Sequence, residues 1–190
     1  MKVTREQFAE NRARILKVAA GLFREKGFDG IGIADIMQAA GLTHGGFYRH
    51  FASRDDLLAQ ASHMALDDAD AVWNRYTDKA LAQPLQTLLR RYLTEAHRDR
   101  VSEGCVFAAL ATDAARQGQP VRGAFTRGLR SQLAVVAELV TGRTRAARRR
   151  KALAVMAGMV GALVLARAVD DPELSREVLD AVSQELAAAA

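Results

Sequence analysis

Between Gly41 and Arg54 the sequence GLTHGGFYRHFASR gathers groups suited to touching a polyanion. Thr43, His44 and Gly45 are expected at a helix N-terminus, where backbone N–H groups and the helix dipole favour a phosphate. Tyr48 and His50 can donate further phosphate bonds, and Arg54 adds a charge free to do the same. Arg49 is the candidate for reading a base, because its guanidinium fork can pair with guanine O6 and N7 in a major groove. Phe47 and Phe51 lie four apart and share the inward face, which leaves Tyr48, Arg49 and His50 pointing outward. A helix of about two turns cannot stabilise itself in isolation. Two inward aromatics and an outward row of donors therefore imply a surface pressed against something, and the DNA major groove fits it.

A helix-turn-helix must position these groups. Ile33, Ile36, Met37 and Ala40 recur at helical spacing, Gly41 ends that helix and permits a tight turn, and the Thr43 hydroxyl is expected to cap the next one. Upstream, Thr4-Arg-Glu-Gln7 reads as a capping box in which Thr reaches forward and Gln reaches back. It opens a long helix with Phe8, Ile15, Ala19, Leu22 and Phe23 as its buried stripe. Arg5, Arg12, Arg14 and Lys17 stay on or near its solvated side until Gly27 stops it. Downstream, Ser53 with Asp55 and Asp56 caps a fourth helix expected to run to about Lys79.

The stretch GLTHGGFYRHFASRDDL is similar to the signature of the TetR family of repressors, in which a glycine turn leads to a short helix ending in Tyr-x-His-Phe. The similarity extends back through Arg14-Ile15-Leu16, Ala19-Ala20, Leu22-Phe23 and Lys26-Gly27-Phe28. The resemblance implies an all-α homodimer: a DNA-binding domain over 1–52, then a helical domain over 53–190 that binds a small molecule and dimerises. It also implies that the fourth helix links the two, so that its tilt sets the spacing of the two DNA-reading heads. Three positions depart from the family pattern. Gly32 stands where a Thr is usual and removes a hydroxyl contact to phosphate. Met37 replaces a small residue where the motif helices meet, and its flexible side chain suits an irregular gap. His44 replaces a frequent Lys and brings less positive charge near neutral pH.

With 190 residues, 49% of them hydrophobic, the chain can build a sizeable core, and its formal charge of +5 suits a polyanionic partner without demanding one. One cysteine excludes an intrachain disulfide framework and a Cys-rich zinc site, and the opening Met-Lys-Val-Thr lacks the apolar core of a signal peptide. A cytoplasmic location is the expectation. The histidines, His44, His50, His63 and His97, include no i, i+4 pair, and Asp67, Asp68 and Asp70 have no calcium-type glycine loop around them, so neither metal nor cofactor is expected. No G-x-S-x-G elbow, Walker loop or dinucleotide fingerprint points to an enzyme.

Pro84 suits the start of a fifth helix carrying Leu85, Leu88, Leu89 and Tyr92 on one face. Ser102-Glu-Gly-Cys105 breaks the pattern before the next helix, and Cys105 stands where unpaired N–H groups favour a thiolate while Glu103 opposes it. Some electrophile-sensing members of the TetR family carry a cysteine after glycine at a similar position. A structural cysteine is the preferred reading, and sensing the alternative. Gln119-Pro120 opens a helix with Val121, Phe125, Leu129, Leu133 and Val136 as its stripe. Arg143 to Lys151 reads as a solvated basic connector. Ala152 to Ala166 is apolar throughout, too short for the roughly 20 residues of a membrane span, and so expected between protein surfaces. With the final helix opened by Asp171-Pro172, whose stripe is Leu174, Val178, Val182 and Leu186, it forms the expected dimer interface. Trp73, Tyr92, Phe107, Phe125 and Met159 could line a ligand pocket, with core the preferred role for each.

These expectations make the chain a repressor that binds double-stranded operator DNA as a homodimer and leaves it when a small molecule or electrophile, of unread identity, binds the larger domain. No membrane partner is expected. The alternative is a helical interaction protein that has lost specific DNA binding.

Overall fold

The computed structural model describes residues 4–77 and 82–188, and among them every regular element is helical. Ten α-helices follow in chain order: α1 Arg5–Lys26, α2 Ile33–Ala39, α3 Phe47–His50, α4 Arg54–Tyr76, α5 Pro84–Tyr92, α6 Glu95–Asp99, α7 Val106–Ala114, α8 Gln119–Leu139, α9 Arg145–Ala168 and α10 Pro172–Ala188. Two 3-10 turns precede α3 and α7, over His44–Gly46 and Val101–Glu103. The fold class is all-α, as the periodicity implies.

The termini of these helices follow their capping chemistry. Thr4 Oγ1 accepts from the Gln7 N–H at 3.1 Å, Ser53 Oγ from the Asp56 N–H at 3.1 Å, and Asp171 Oδ1 from the Glu173 and Leu174 N–H groups. Gly27 ends α1 with φ of 76°, a value that L side chains rarely adopt, and a Cβ there would stand 2.8 Å from Asp113 Oδ2. Gly41 takes φ of 70° in the turn between α2 and the His44–Gly46 turn, as the motif requires. α4 ends at Tyr76 with Thr77 as its cap; Lys79, its expected terminus, lies outside the described residues.

Two hydrophobic clusters form the interior. One joins Ile15, Ala19 and Phe23 of α1 with Ile36 and Met37 of α2, Phe47, Phe51, Leu57 and Leu58, and continues into Phe107, Leu110 and Phe125 of α7 and α8. The other gathers Trp73, Leu85, Leu89 and Tyr92 with the second half of α8, α9 and Leu179 of α10. The clusters therefore do not part at residue 52: the helices around the Gly41 turn share their core with α7 and the start of α8. Phe107 and Phe125 meet edge to face at 5.5 Å inside this first cluster, and Met159 is fully buried in the second, so all three serve as core.

The structure corrects several details. Leu129 lies 36% exposed rather than in the buried stripe of α8. The basic run from Arg143 is not a connector but mostly the first two turns of α9, with the Lys151 ammonium donating to Thr141 Oγ1 at 2.8 Å. Within the protomer α9 is covered on one face only: Val155, Met159 and Leu163 are buried, and Leu153, Val164 and Leu165 form the exposed face left for a second surface. By length and composition it is also apolar enough to cross a membrane. On α10 Val178, Val182 and Leu186 pack against the second cluster as expected, with Ser175 and Leu179 buried beside them, and only Leu174 of the expected stripe faces outward.

Candidate nucleic-acid interface and an internal cavity

The candidate DNA-reading surface is assembled from a buried support. Phe47 is fully buried, stacks on Phe51 at 5.6 Å and meets Tyr48 edge to face at 5.1 Å. That anchoring leaves the Tyr48 ring 70% exposed, with Thr43, His44, Gly45 and Arg49 exposed beside it. Met37 fills the space below, its Cε 3.7 Å from where a Cβ on Gly46 would stand, which is how the large residue fits between the motif helices.

Three expected contacts take different geometry. The Thr43 hydroxyl caps nothing; its carbonyl accepts from Gly46 N–H at 3.0 Å, because the reading segment begins as a 3-10 turn. His50 does not point freely outward. Its ring stacks on Phe8 at 4.3 Å, Nδ1 is buried, and burial followed by the charges of Arg12 and Arg49 lowers its pKa. Arg54 donates to the Phe28 carbonyl and stands 3.5 Å from Asp29, so its guanidinium ties α4 to the end of α1.

One supporting group was missed in the sequence. Arg12, expected on the solvated side of α1, donates to the His50 carbonyl and to Gln60 Oε1 at 2.6 Å, and lies over the Phe51 ring at 4.6 Å. Gln60 in turn donates to Asp56, whose second oxygen accepts from the Ala52 N–H. This network fastens the C-terminal end of α3 to α1 and α4. The available signal was its position: Arg12 lies one turn after Phe8 and three residues before Ile15, at the edge of the buried stripe.

A cavity of about 460 Å³ opens between α4, α5, α8 and the segment 94–105, lined by Trp73, Leu88, Tyr92, His97, Cys105 and Gln132 among others. Cys105 is half-buried and forms the N-cap position of α7. Its backbone N–H is not free for a ligand, since it donates to His97 Nε2 at 3.0 Å. His97 Nδ1 lies 2.7 Å from the Tyr92 carbonyl, so one ring nitrogen donates, the other accepts, and the imidazole is neutral. Burial lowers the His97 pKa, with the nearby Arg167 charge acting in the same direction and the bond to Tyr92 opposing both. Among the described residues no group of three or more His, Cys, Asp or Glu gathers as a metal site.

The family model for bacterial regulatory proteins of the tetR family matches residues 15–61, from the middle of α1 into α4. The HTH-type transcriptional regulator AcrR of Shigella flexneri is 30% identical over 100 residues, which are 53% of this chain and 46% of AcrR. The HTH-type transcriptional repressor KstR2 of Mycobacterium tuberculosis (strain CDC 1551 / Oshkosh) is 32% identical over 82 residues, 43% of this chain and 40% of KstR2. The matched stretches thus span less than half of either relative. In fold, a TetR transcriptional regulator from Chloroflexus aurantiacus superposes with a TM-score of 0.81 at 24% identity, over 96% of this chain and 95% of the other. The reduced form of E. coli NemR gives 0.78 at 17% identity, over 93% and 95%.

Proposed function

We propose that this chain, a member of the tetR family of bacterial regulatory proteins, non-enzymatic DNA-binding transcription factors, represses transcription by binding a pseudo-palindromic operator as a homodimer and leaves it when an effector fills the cavity. The observation that carries the DNA reading is the exposed row Thr43, His44, Gly45, Tyr48 and Arg49 on a segment held from behind by Phe47, Phe51 and Arg12. Arg49 reads a base and the others position the backbone. His50 and Arg54 act chiefly as supports, through Phe8 and through Phe28 and Asp29.

The effector reading is supported by a cavity that borders both the linking helix α4 and the segment 94–105, which touches α1. An effector releases DNA only by binding the DNA-incompetent arrangement better than the competent one. An electrophile entering the cavity would meet Cys105, the sensing residue in that case, whereas a reversible ligand needs no thiol. Cys105→Ser separates the two, since it abolishes release by electrophiles and spares release by reversible ligands.

The test of the whole reading is binding to the DNA upstream of the chain's own gene, with selection from random DNA if that region fails. Specific, salt-sensitive binding is expected. Its absence from both would return the chain to a helical interaction protein without DNA specificity.

A further inference from the structure

We propose that the cavity takes an uncharged, largely aromatic or apolar molecule whose single polar head hydrogen-bonds to the Gln132 side chain and the Tyr92 hydroxyl. This deepens the effector reading above and rests on it. The argument starts from two buried polar atoms that the protein itself leaves unserved. Gln132 is 2% exposed on α8, and its Oε1 has no hydrogen-bond partner. Tyr92 is 5% exposed on α5, and its hydroxyl makes no well-formed hydrogen bond; the Cys105 thiol is its polar neighbour, a weak partner. Both residues line the same cavity. Buried polar groups are ordinarily paired, because leaving one unpaired costs as much as desolvating it. Two unserved groups on one cavity are accounted for by a ligand that serves them.

The rest of the wall sets the ligand's body and charge. Trp73, Leu88 and Val106 give an apolar lining, and the volume falls within the ~300–1,000 Å³ typical of small-molecule sites. Trp73 and Tyr92 meet edge to face at 6.3 Å, offering ring faces and edges to a flat guest. The inner polar groups are all neutral: an amide, a phenol that burial pushes well above its ordinary range, and an imidazole with both nitrogens engaged. Charged groups on the lining, Arg90, Arg91, Arg100 and Glu103, are exposed. Arg167 stands behind His97, donating to the Arg98 and His97 carbonyls; it is not part of the lining, though its charge acts on Tyr92 and Cys105 from there. A carboxylate seated against the buried Gln132 would lose its hydration while the guanidiniums of the lining stay exposed to solvent, which an uncharged head avoids.

The chain's one tryptophan makes the test direct, since the indole N–H of Trp73 gives a single crosspeak in nitrogen-15 spectra of the full chain. The probes are 2-naphthol, naphthalene and 2-naphthoate, alike in ring and different in head. The expected result is 2-naphthol binding about tenfold or more tighter than either of the others. Gln132→Leu and Tyr92→Phe should each shrink that preference over naphthalene. The Phe variant keeps the ring and its packing, so it answers even where the Leu variant folds poorly. Tightest binding by 2-naphthoate, equal affinity for naphthol and naphthalene, a preference untouched in both variants, or no crosspeak movement with any probe would each overturn the assignment. Operator binding without probe is measured alongside. Discrimination without DNA binding leaves the cavity assigned and removes the repressor; DNA binding without discrimination does the reverse.

Discussion

Arg12 of α1 holds the end of α3 while Arg49 of α3 is exposed, and their loss should be told apart by sequence dependence. Arg49 is exposed on the reading face, so Arg49→Ala should cost about 1–3 kcal/mol against the preferred base pair and flatten discrimination there, read by competition between operator variants. Arg12 holds the His50 carbonyl and Gln60 from behind. Arg12→Ala should lower stability to urea by roughly 1–3 kcal/mol and weaken binding to every sequence alike. Two histidines bear on the pH response: His50 beside Arg12, and His97 beside the cavity, whose two ring nitrogens are engaged in the neutral form. The folded-state pKa of His50 and of His97 is lowered, so the unfolded chain binds more protons as pH falls below the ordinary histidine value of about 6.5. Their contribution is fully present above that value and is lost as pH falls through the folded-state values. Protonated His97 can no longer accept from the Cys105 N–H, so the join between α6 and α7 loosens. The urea midpoint should fall from pH 7.5 to pH 5, and His97→Gln should shrink that fall; an equal fall in the variant would assign it elsewhere.

At the scale of elements, what periodicity and caps report was legible and what short segments do was not. α1, α4, α5, α8 and α10 start at the Thr, Ser, Pro and Asp-Pro signals that the sequence displays, because a cap is a local bargain between a side chain and nearby N–H groups. α6 was invisible: a five-residue helix has no apolar period, and its Thr94 cap accepts from His97 N–H without any following stripe. Yet the Val101–Glu103 turn that follows it, together with α7, ties the cavity to α1. Arg24 of α1 donates to the Ser102 carbonyl at 2.5 Å, and Asp113 of α7 accepts from the Phe28 N–H at 2.9 Å, at the end of α1. These contacts span 78 and 85 residues of chain, which no local pattern can disclose. Because Ser102 lies two residues from the cavity-lining Gly104, a guest that displaces this segment pulls on α1 directly, beside any tilt of α4. Arg24→Ala should therefore leave the affinity for 2-naphthol within about twofold while reducing its effect on operator affinity, a loss within the ~1–3 kcal/mol usual for such coupling. Unchanged coupling would leave transmission to α4 alone.

The whole molecule turns on the apolar face that α9 and α10 leave uncovered. Leu153, Val164 and Leu165 of α9 and Leu174 of α10 are 41–57% exposed, while the opposite side of α9 is buried in the second cluster. The sequence disclosed that α9 needs partners on more than one side; which residues face which partner was hidden, because an uninterrupted apolar run has no polar face to mark its orientation. Closing this face against its symmetry mate would give a four-helix interface and hold two reading heads at one separation, which must suit about one DNA turn, ~34–36 Å. Leu165 is the most exposed of the four at 57%, so Leu165→Glu should leave the protomer folded and place a charge where two copies meet. Sedimentation should then show a monomer. Full-operator affinity should fall by orders of magnitude while the weak affinity for an isolated half-site is kept, since tethering two heads raises the effective concentration of the second without touching its contacts. A variant that stays dimeric with undiminished operator affinity would move the interface off this face, and one that loses half-site affinity as well would mean that α9 supports the reading head rather than joining two of them.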